Sequence, residues 1–395
     1  MTERPSRSRA STSDSPPPQD DERFEITTAD SLAEVTAAEW DALLDDQDTP
    51  FQRHAWLRSL EEAGCVTPEK GWRPCHILLR HEGKLRGAAP AYLKGNTEGE
   101  FVFDHGWAQA APRFGVRYYP KLIVSIPFTP ATGRRLLARR DDVAAAQVLG
   151  QAVRAVSDQL ELSGAHVLFT DASDRGALDD AGFAQRHGIQ FHWNNRGYTR
   201  YDDFLASFNS KRRHQLKRER REVEQSGIVT TTYRGRDITD EVLDAMFRFY
   251  LKGVEAHYPW GRQYLNKRFF ELVRERMGDN LDIVLARDAG RPIAGCFNVA
   301  SSTHLYGRYW GCDEQRPFLH FHVCYYHSIE QCIERGLRVF EPGAGGEHKL
   351  PRGFDPTLTV SAHHLRNRRF DEAIRDYLVR EREAVAAELS GEGED

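Results

Sequence analysis

One order of elements occurs twice along this chain, and that repeat constrains the fold more than any other feature. In the first half the apolar run His76-Ile77-Leu78-Leu79 precedes a turn at Gly83; in the second, Asp282-Ile283-Val284-Leu285 precedes one at Gly290. The run 164–169, opened by Gly164, has its counterpart in 336–341, opened by Gly336. Gly182-Phe183 then stands 18 residues after Gly164, and Gly353-Phe354 stands 17 after Gly336. Three matched pairs in the same order imply that a long unit was duplicated, not a short solenoid repeat. A chain of 395 residues is also longer than one hydrophobic core usually serves, so two domains are expected.

Hydrophobic periodicity fills in the units. It predicts a strand over 24–28 and a helix opening at Ser31, where Glu34 completes a capping box, that runs to about 44. A second helix over 51–63 ends at Gly64. Strands are expected over 76–80, 85–93, 101–104 and 122–127, then a long helix over 142–162 and strands over 166–170 and 189–193. The second half predicts helices over 239–255 and 266–277 and strands over 282–287, 293–300 and 304–309. A helix over 319–335, strands over 337–341 and 357–363 and a closing helix after Arg369 complete it. The expected class is therefore α/β with mixed α+β sheets: a disordered tail over 1–22, one domain over 23–196 and a second over 197–395. The tail is Ser-, Pro-, Arg- and Asp-rich and lacks the apolar stretch of a secretory signal.

Composition sets limits on partners. The formal net charge is −5, so a polyanion would have to be met by a local patch. The six cysteines form no CxxC pair and read as buried thiols in a reducing compartment. No run of eighteen apolar residues occurs, so no membrane span is expected and the default location is cytoplasmic. One local patch is conspicuous. The helix over 209–226 holds seven Lys or Arg between Lys211 and Arg221 and a single acid, Glu219. Arg213 and Lys217, four apart, share a face and are candidate phosphate contacts, for a tRNA, a nucleotide-linked precursor or CoA; a solvated linker helix is the other reading.

Several segments of the second half resemble the FemAB-like branch of the GNAT acyltransferase superfamily. They are Ser207-Phe208-Asn209-Ser210-Lys211-Arg212-Arg213 leading to Ser226-Gly227-Ile228, the turn from Gly290 to Gly295 with Tyr306-Gly307-Arg308-Tyr309-Trp310-Gly311, and the block over 341–354. From Phe51 onward the chain also looks like FemAB-like proteins described as peptidoglycan biosynthesis or recognition proteins. The resemblance covers about 24–385 and implies two tandem GNAT-like domains, the first largely structural. It also implies an N-acyltransferase or aminoacyltransferase passing its group to an amine, with a cell-wall precursor as acceptor in characterised members. The family's oxyanion-stabilising lysine maps onto Lys349; His348 stands where the family has Phe. No bound cofactor is implied; the co-substrate is either aminoacyl-tRNA, with tRNA contact, or acyl-CoA.

The residues read independently suit that chemistry. Acyl transfer to an amine needs a proton acceptor, donors for the tetrahedral oxyanion, and alignment of two substrates. The segment 341–352 offers Glu341, Glu347 and His348 as proton carriers and Lys349 and Arg352 as anion partners. Gly345 and Gly346, with Gly343, let backbone approach a ligand. The segment follows a strand, where α/β sheets place their sites. Arg308 alternates with aromatics on a strand and is a candidate substrate contact, and the loop 257–261 is a candidate aromatic wall. The acyl-CoA pattern Gln147-Val148-Leu149-Gly150-Gln151-Ala152 falls inside a predicted helix, where its amides are already bonded. This weakens an acyl-CoA-dependent small-molecule acetyltransferase, which stays open beside a non-catalytic glycan-precursor or RNA binder. His320, Cys324 and His327 share one face of a regular helix but more simply pack as half-buried histidines, and no metal is expected.

Overall fold

The computed structural model describes residues 24–257 and 261–390, except the side chain of Glu347. The expected tail and the centre of the aromatic loop lie outside the described residues. The first half supplies β1 (Glu25–Ala29), β2 (Trp72–Pro74), β3 (His76–His81), β4 (Lys84–Ala89), β5 (Ala91–Lys94), β6 (Lys121–Val124), β7 (Leu137–Ala138), β8 (Gly164–Val167) and β9 (Ala184–Asn194). The second supplies β10 (Val229–Arg234), β11 (Leu281–Asp288), β12 (Arg291–Ala300), β13 (His304–Cys312), β14 (Val339–Glu341) and β15 (Asp355–Leu365). This is a mixed α/β architecture built from two repeated units. Each matched pair in the sequence is a matched strand: β3 and β4 with β11 and β12, β8 with β14, β9 with β15.

The two units exchange their last strands. β1, β3, β4 and β7 form a small sheet, and the other strands form one large sheet ordered β10-β11-β12-β13-β14-β9-β15-β8-β6-β5-β2. β9, from the first half, pairs with β14 of the second (Phe340↔Trp193), while β15 returns to pair with β8 of the first (Ala362↔Val167). β9 and β15 pair with each other from Asp355↔His192 to His363↔Ala184. Neither half closes its sheet without the other's final strand.

The cores merge as well. The first-half helix His54–Glu62 lies on the second-half helix Lys267–Met277, with Trp56 edge-on to Phe269 at 5.1 Å and Asn266 Nδ2 donating to Ala63 O at 2.6 Å. Phe51 meets Tyr306 at 5.1 Å. Each such fully buried aromatic contributes roughly 1.5–3 kcal/mol, so the interface holds like a core.

Where the elements differ from expectation, a local cause is visible. Ser31 and Glu34 form the capping box, but Val35 turns extended and Thr36 caps a separate helix, Ala37–Asp41. The expected strand 85–93 breaks at Pro90, which has no N–H for a ladder. Residues 101–104 are not a strand: the neighbouring carboxylates of Glu100 and Asp104 are drawn inward onto the buried ammonium of Lys121, and Phe101 takes φ +60°. The Gln147–Ala152 pattern is interior to the helix Val143–Gln159, where Gly150 allows close approach to the Ala177 carbonyl, so it forms no phosphate loop. Among the described residues no helix is long and apolar enough to cross a membrane.

Candidate active site

β13 and β14 run parallel for three residues, His304↔Val339, Leu305↔Phe340 and Tyr306↔Glu341, and then part. β13 continues to Cys312 while the other chain leaves through Pro342 and Gly343, whose φ of +93° only glycine takes cheaply. A cleft of ≈ 520 Å³ opens where they separate. Arg308, Tyr309 and Trp310 line one side, and the 342–346 loop with His348 and Lys349 the other. The first half adds Phe101 and Pro130, and the helix Asp240–Ala256 adds Tyr250 and Gly253. A second cleft of ≈ 610 Å³ adjoins it, sharing Gly253, His257, Trp310 and His320.

Lys349 is the central group. It is the third residue of the 3-10 helix Glu347–Arg352, is 2 % exposed, and its Nζ donates to Gly343 O at 2.7 Å. That single bond leaves two N–H groups for an incoming oxygen. Burial pulls the pKa of its ammonium down to about 8, and among the described residues no carboxylate pairs with it. His348 is exposed at the cleft; its Nε2 is 3.0 Å from Tyr325 Oη, and its ring sits among His320, Phe321 and Tyr325. Partial burial, with Lys349 and Arg352 nearby, lowers its pKa and so favours the neutral imidazole.

The remaining sequence candidates divide. Arg308, Gly345 and Gly346 reach the cleft with Lys349 and His348. Arg308 donates to Phe128 O at 2.8 Å, across the boundary between the halves. Glu341 does not line the cleft: it is buried behind it, accepts from the Thr132 backbone, and burial pushes its carboxyl up to about 8 against the opposing pull of Arg308. Arg352 is turned away into a buried pair with Glu219 at 3.1 Å and stacks on Phe321. Arg213 spends its guanidinium on the carbonyls of Leu205, Ala206 and Phe208, and Lys217 faces Asp202 at 3.5 Å, both on a different surface. A helix end offering free carbonyls explains the Arg213 geometry without any ligand.

His320, Cys324 and His327 do not share a face, because residues His322–Tyr326 form a π-turn. The extra residue per turn aims His320 into the cleft and turns His327 to Thr232, 2.8 Å away. No metal-binding cluster of three such residues occurs among the described residues. The same π-turn brings Tyr325 to His348. Sequence reasoning missed Tyr325, Tyr250 and Tyr264, since aromatics at helical spacing read as core.

Comparisons with known proteins identify the family and the fold. A family model described as peptidoglycan biosynthesis/recognition, FemAB-like, matches residues 31–394. FemX superposes with a TM-score of 0.52 at 12% identity, over 86% of this chain and 98% of that one. L-PGS from Bacillus licheniformis gives 0.50 at 12% identity, over 81% and 93%, and a conserved protein of unknown function from Bacteroides thetaiotaomicron 0.52 at 11%, over 87% and 100%. At these identities the likeness is one of fold. No curated protein matches in sequence. The family model spans nearly the whole chain, and the chain belongs to the FemAB-like family.

Proposed function

We propose that this protein is an N-acyl- or aminoacyltransferase that passes its group to the amine of a cell-wall precursor. The observation that carries the reading is Lys349: a buried ammonium beside a cleft, tied by one N–H to Gly343 O and with two left to donate. Two adjoining clefts give separate room for donor and acceptor. The amine nitrogen attacks the acyl carbonyl carbon, the C–N bond forms, and the carbonyl oxygen gains the negative charge that Lys349 meets. His348 takes the amine proton and returns it to the leaving oxygen or sulfur as the ester or thioester bond breaks. Glu341, behind the cleft, takes no part in proton transfer in this scheme; it lies in the electrostatic neighbourhood of Arg308.

The donor is either a charged tRNA or acyl-CoA. Purified protein is incubated with each separately, together with amine-bearing cell-wall precursors, and product is sought by mass spectrometry. Product that requires Lys349 supports the proposal; product unaffected in a Lys349→Ala variant overturns the assignment, and absence of product with every donor leaves a binding protein instead.

A further inference from the structure

His348 is an exposed residue, yet its ring is held on two sides. Nε2 lies 3.0 Å from the hydroxyl of Tyr325, which comes from the π-turn His322–Tyr326 and is itself 4 % exposed. The Tyr325 ring packs edge-on to Phe354 at 5.2 Å, so its hydroxyl stands on an anchored side chain. The ring of His348 also lies over the bare Cα of Gly346: a Cβ there would lie 2.5 Å from Cε1 and 3.1 Å from Nδ1. Tyr325 and His348 both line the cleft with Lys349. Among the described residues Nδ1 makes no hydrogen bond, and the Tyr325 hydroxyl makes none besides this one.

Burial pushes the Tyr325 phenol above its ordinary value, so it stays neutral and is able either to give this bond or to take it. The direction decides what His348 can do. A neutral imidazole has one bare nitrogen. Were the phenol O–H to fill it at Nε2, the ring would have nowhere to put an amine proton. With Nε2–H donating to Tyr325 Oη instead, the bare nitrogen is Nδ1, open to a proton while the ring is held by its other side. We infer that Tyr325 is a positioning residue for His348: its hydroxyl accepts from Nε2–H, fixes the tautomer and the direction of the ring, and leaves Nδ1 to take the proton of the attacking amine. The proton passes from the amine nitrogen to Nδ1 as the C–N bond forms, and Nε2 keeps its own. The imidazolium then gives the Nδ1 proton to the leaving oxygen or sulfur. This assignment rests on the transferase reading above and adds what orients its base.

Four side chains face the His348 ring among the described residues: Lys349 and Arg352 from its own helix, His320 and Tyr325 from the π-turned one. Burial takes His320 down to about 4, so it and His348 are the two that titrate in acid, each with its own signals. The test follows the imidazole nitrogens of the full chain, labelled with nitrogen-15 histidine, by long-range proton–nitrogen NMR as pH is varied; His348→Gln identifies the His348 signals. Wild type is expected to show Nε2 protonated and Nδ1 bare. Tyr325→Phe keeps the ring and removes the oxygen. Because an imidazolium N–H is the stronger donor, the bond favours the protonated ring, and its loss should move the His348 pKa further down. The acid limb of kcat should move to lower pH with it, a change that a packing role would not produce. At its optimum kcat should fall about 10- to 100-fold with KM unchanged, the usual loss when a working side chain is no longer oriented. In a His348→Gln background, Tyr325→Phe should cost nothing further.

A wild-type ring with Nδ1 protonated and Nε2 bare overturns the inference. So does a His348 pKa that rises or stays in place in Tyr325→Phe, or a loss of kcat that persists in full in the His348→Gln background. The tautomer is read without any change at Tyr325, so it decides even where Tyr325→Phe does not fold. The NMR readouts do not depend on product. The expected tautomer and pKa change with no product from any donor sinks the transferase reading, whereas product formed by a chain with the opposite tautomer sinks this inference alone.

Discussion

Arg352 Nη2 lies 3.1 Å from Glu219 Oε2, a buried pair that ties the site loop to the helix Ser210–Gln225 through the one acid of that helix's basic stretch. Tyr326, from the π-turn, donates to the same carboxylate and accepts from Arg352 Nε at 3.0 Å. Loop, π-turn and basic helix are thus held at one point. Glu219→Gln leaves the Arg352 charge uncompensated and should cost about 3–5 kcal/mol in urea unfolding. Adding Arg352→Met should recover part of that loss, and the double-mutant cycle would read the coupling directly.

Lys349 acts on charge that develops only during reaction, so its removal should spare the fold. Lys349→Met is expected to lower turnover about 10²–10³-fold, the usual loss for one oxyanion donor. Its Tm should stay near wild type, because the ammonium is buried against a single carbonyl and makes no ion pair among the described residues. Turnover by mass spectrometry and Tm by calorimetry check the two halves of this expectation.

The two site groups impose a bell-shaped pH profile. Lys349 must be protonated to donate, and with its pKa lowered to about 8 activity should fall as pH rises through that value. His348 must be neutral to accept a proton, and its lowered pKa places the acid limb below the ordinary imidazole value. Residual activity of Lys349→Met should lose the alkaline limb and keep the acid one. Retention of both limbs in that variant would assign the alkaline limb to another group.

Much of the architecture was legible because it rests on local signals. The hairpin around Gly290 and the helices Asp240–Ala256 and Lys267–Met277 follow directly from periodicity and turn chemistry. The exchange of β9 and β15 was not legible, since each strand carries the same alternation whichever half it joins. In the site, Lys349 and His348 stand beside glycines that announce a special backbone. Glu341 and Arg352 are adjacent in sequence to the same loop, yet one points behind the cleft and the other into a buried pair; nearness along the chain does not encode direction. The π-turn was equally hidden, because its residues have ordinary helical composition and only the packing inserts the extra residue.

Glu341 supplies a test by linkage. Burial pushes its carboxyl up to about 8 in the folded chain, against the ordinary acid range when unfolded. Between those values the native state binds the proton and the unfolded state does not, so stability falls as pH rises. Glu341→Gln mimics the protonated form and removes this dependence. Its Tm should lie close to wild type at pH 5 and rise above it progressively toward pH 8. A difference that is constant over this range would show that Glu341 is ionised in the native state.

The cleft also depends on two glycines where the helix Asp240–Ala256 lies directly on β13. A Cβ at Gly311 would lie 1.8 Å from Phe249 O, far inside van der Waals contact, and one at Gly253 would lie 2.1 Å from Trp310 O. Both clashes are with backbone, which cannot rotate aside as a side chain can. Gly311→Ala should therefore push the helix off the strand, at a cost of about 1–3 kcal/mol or more. The displacement would move Tyr250 and Gly253 away from Trp310, widening the wall against which substrate must align. Activity should drop beyond what the stability loss explains at temperatures where the variant is fully folded. By contrast, Gly290→Ala, at a turn with nothing within 4 Å of its Cβ position, pays only for its φ of +78° and should leave kcat unchanged. Urea unfolding and turnover measured side by side on the two variants would separate the helix–strand contact from general glycine strain.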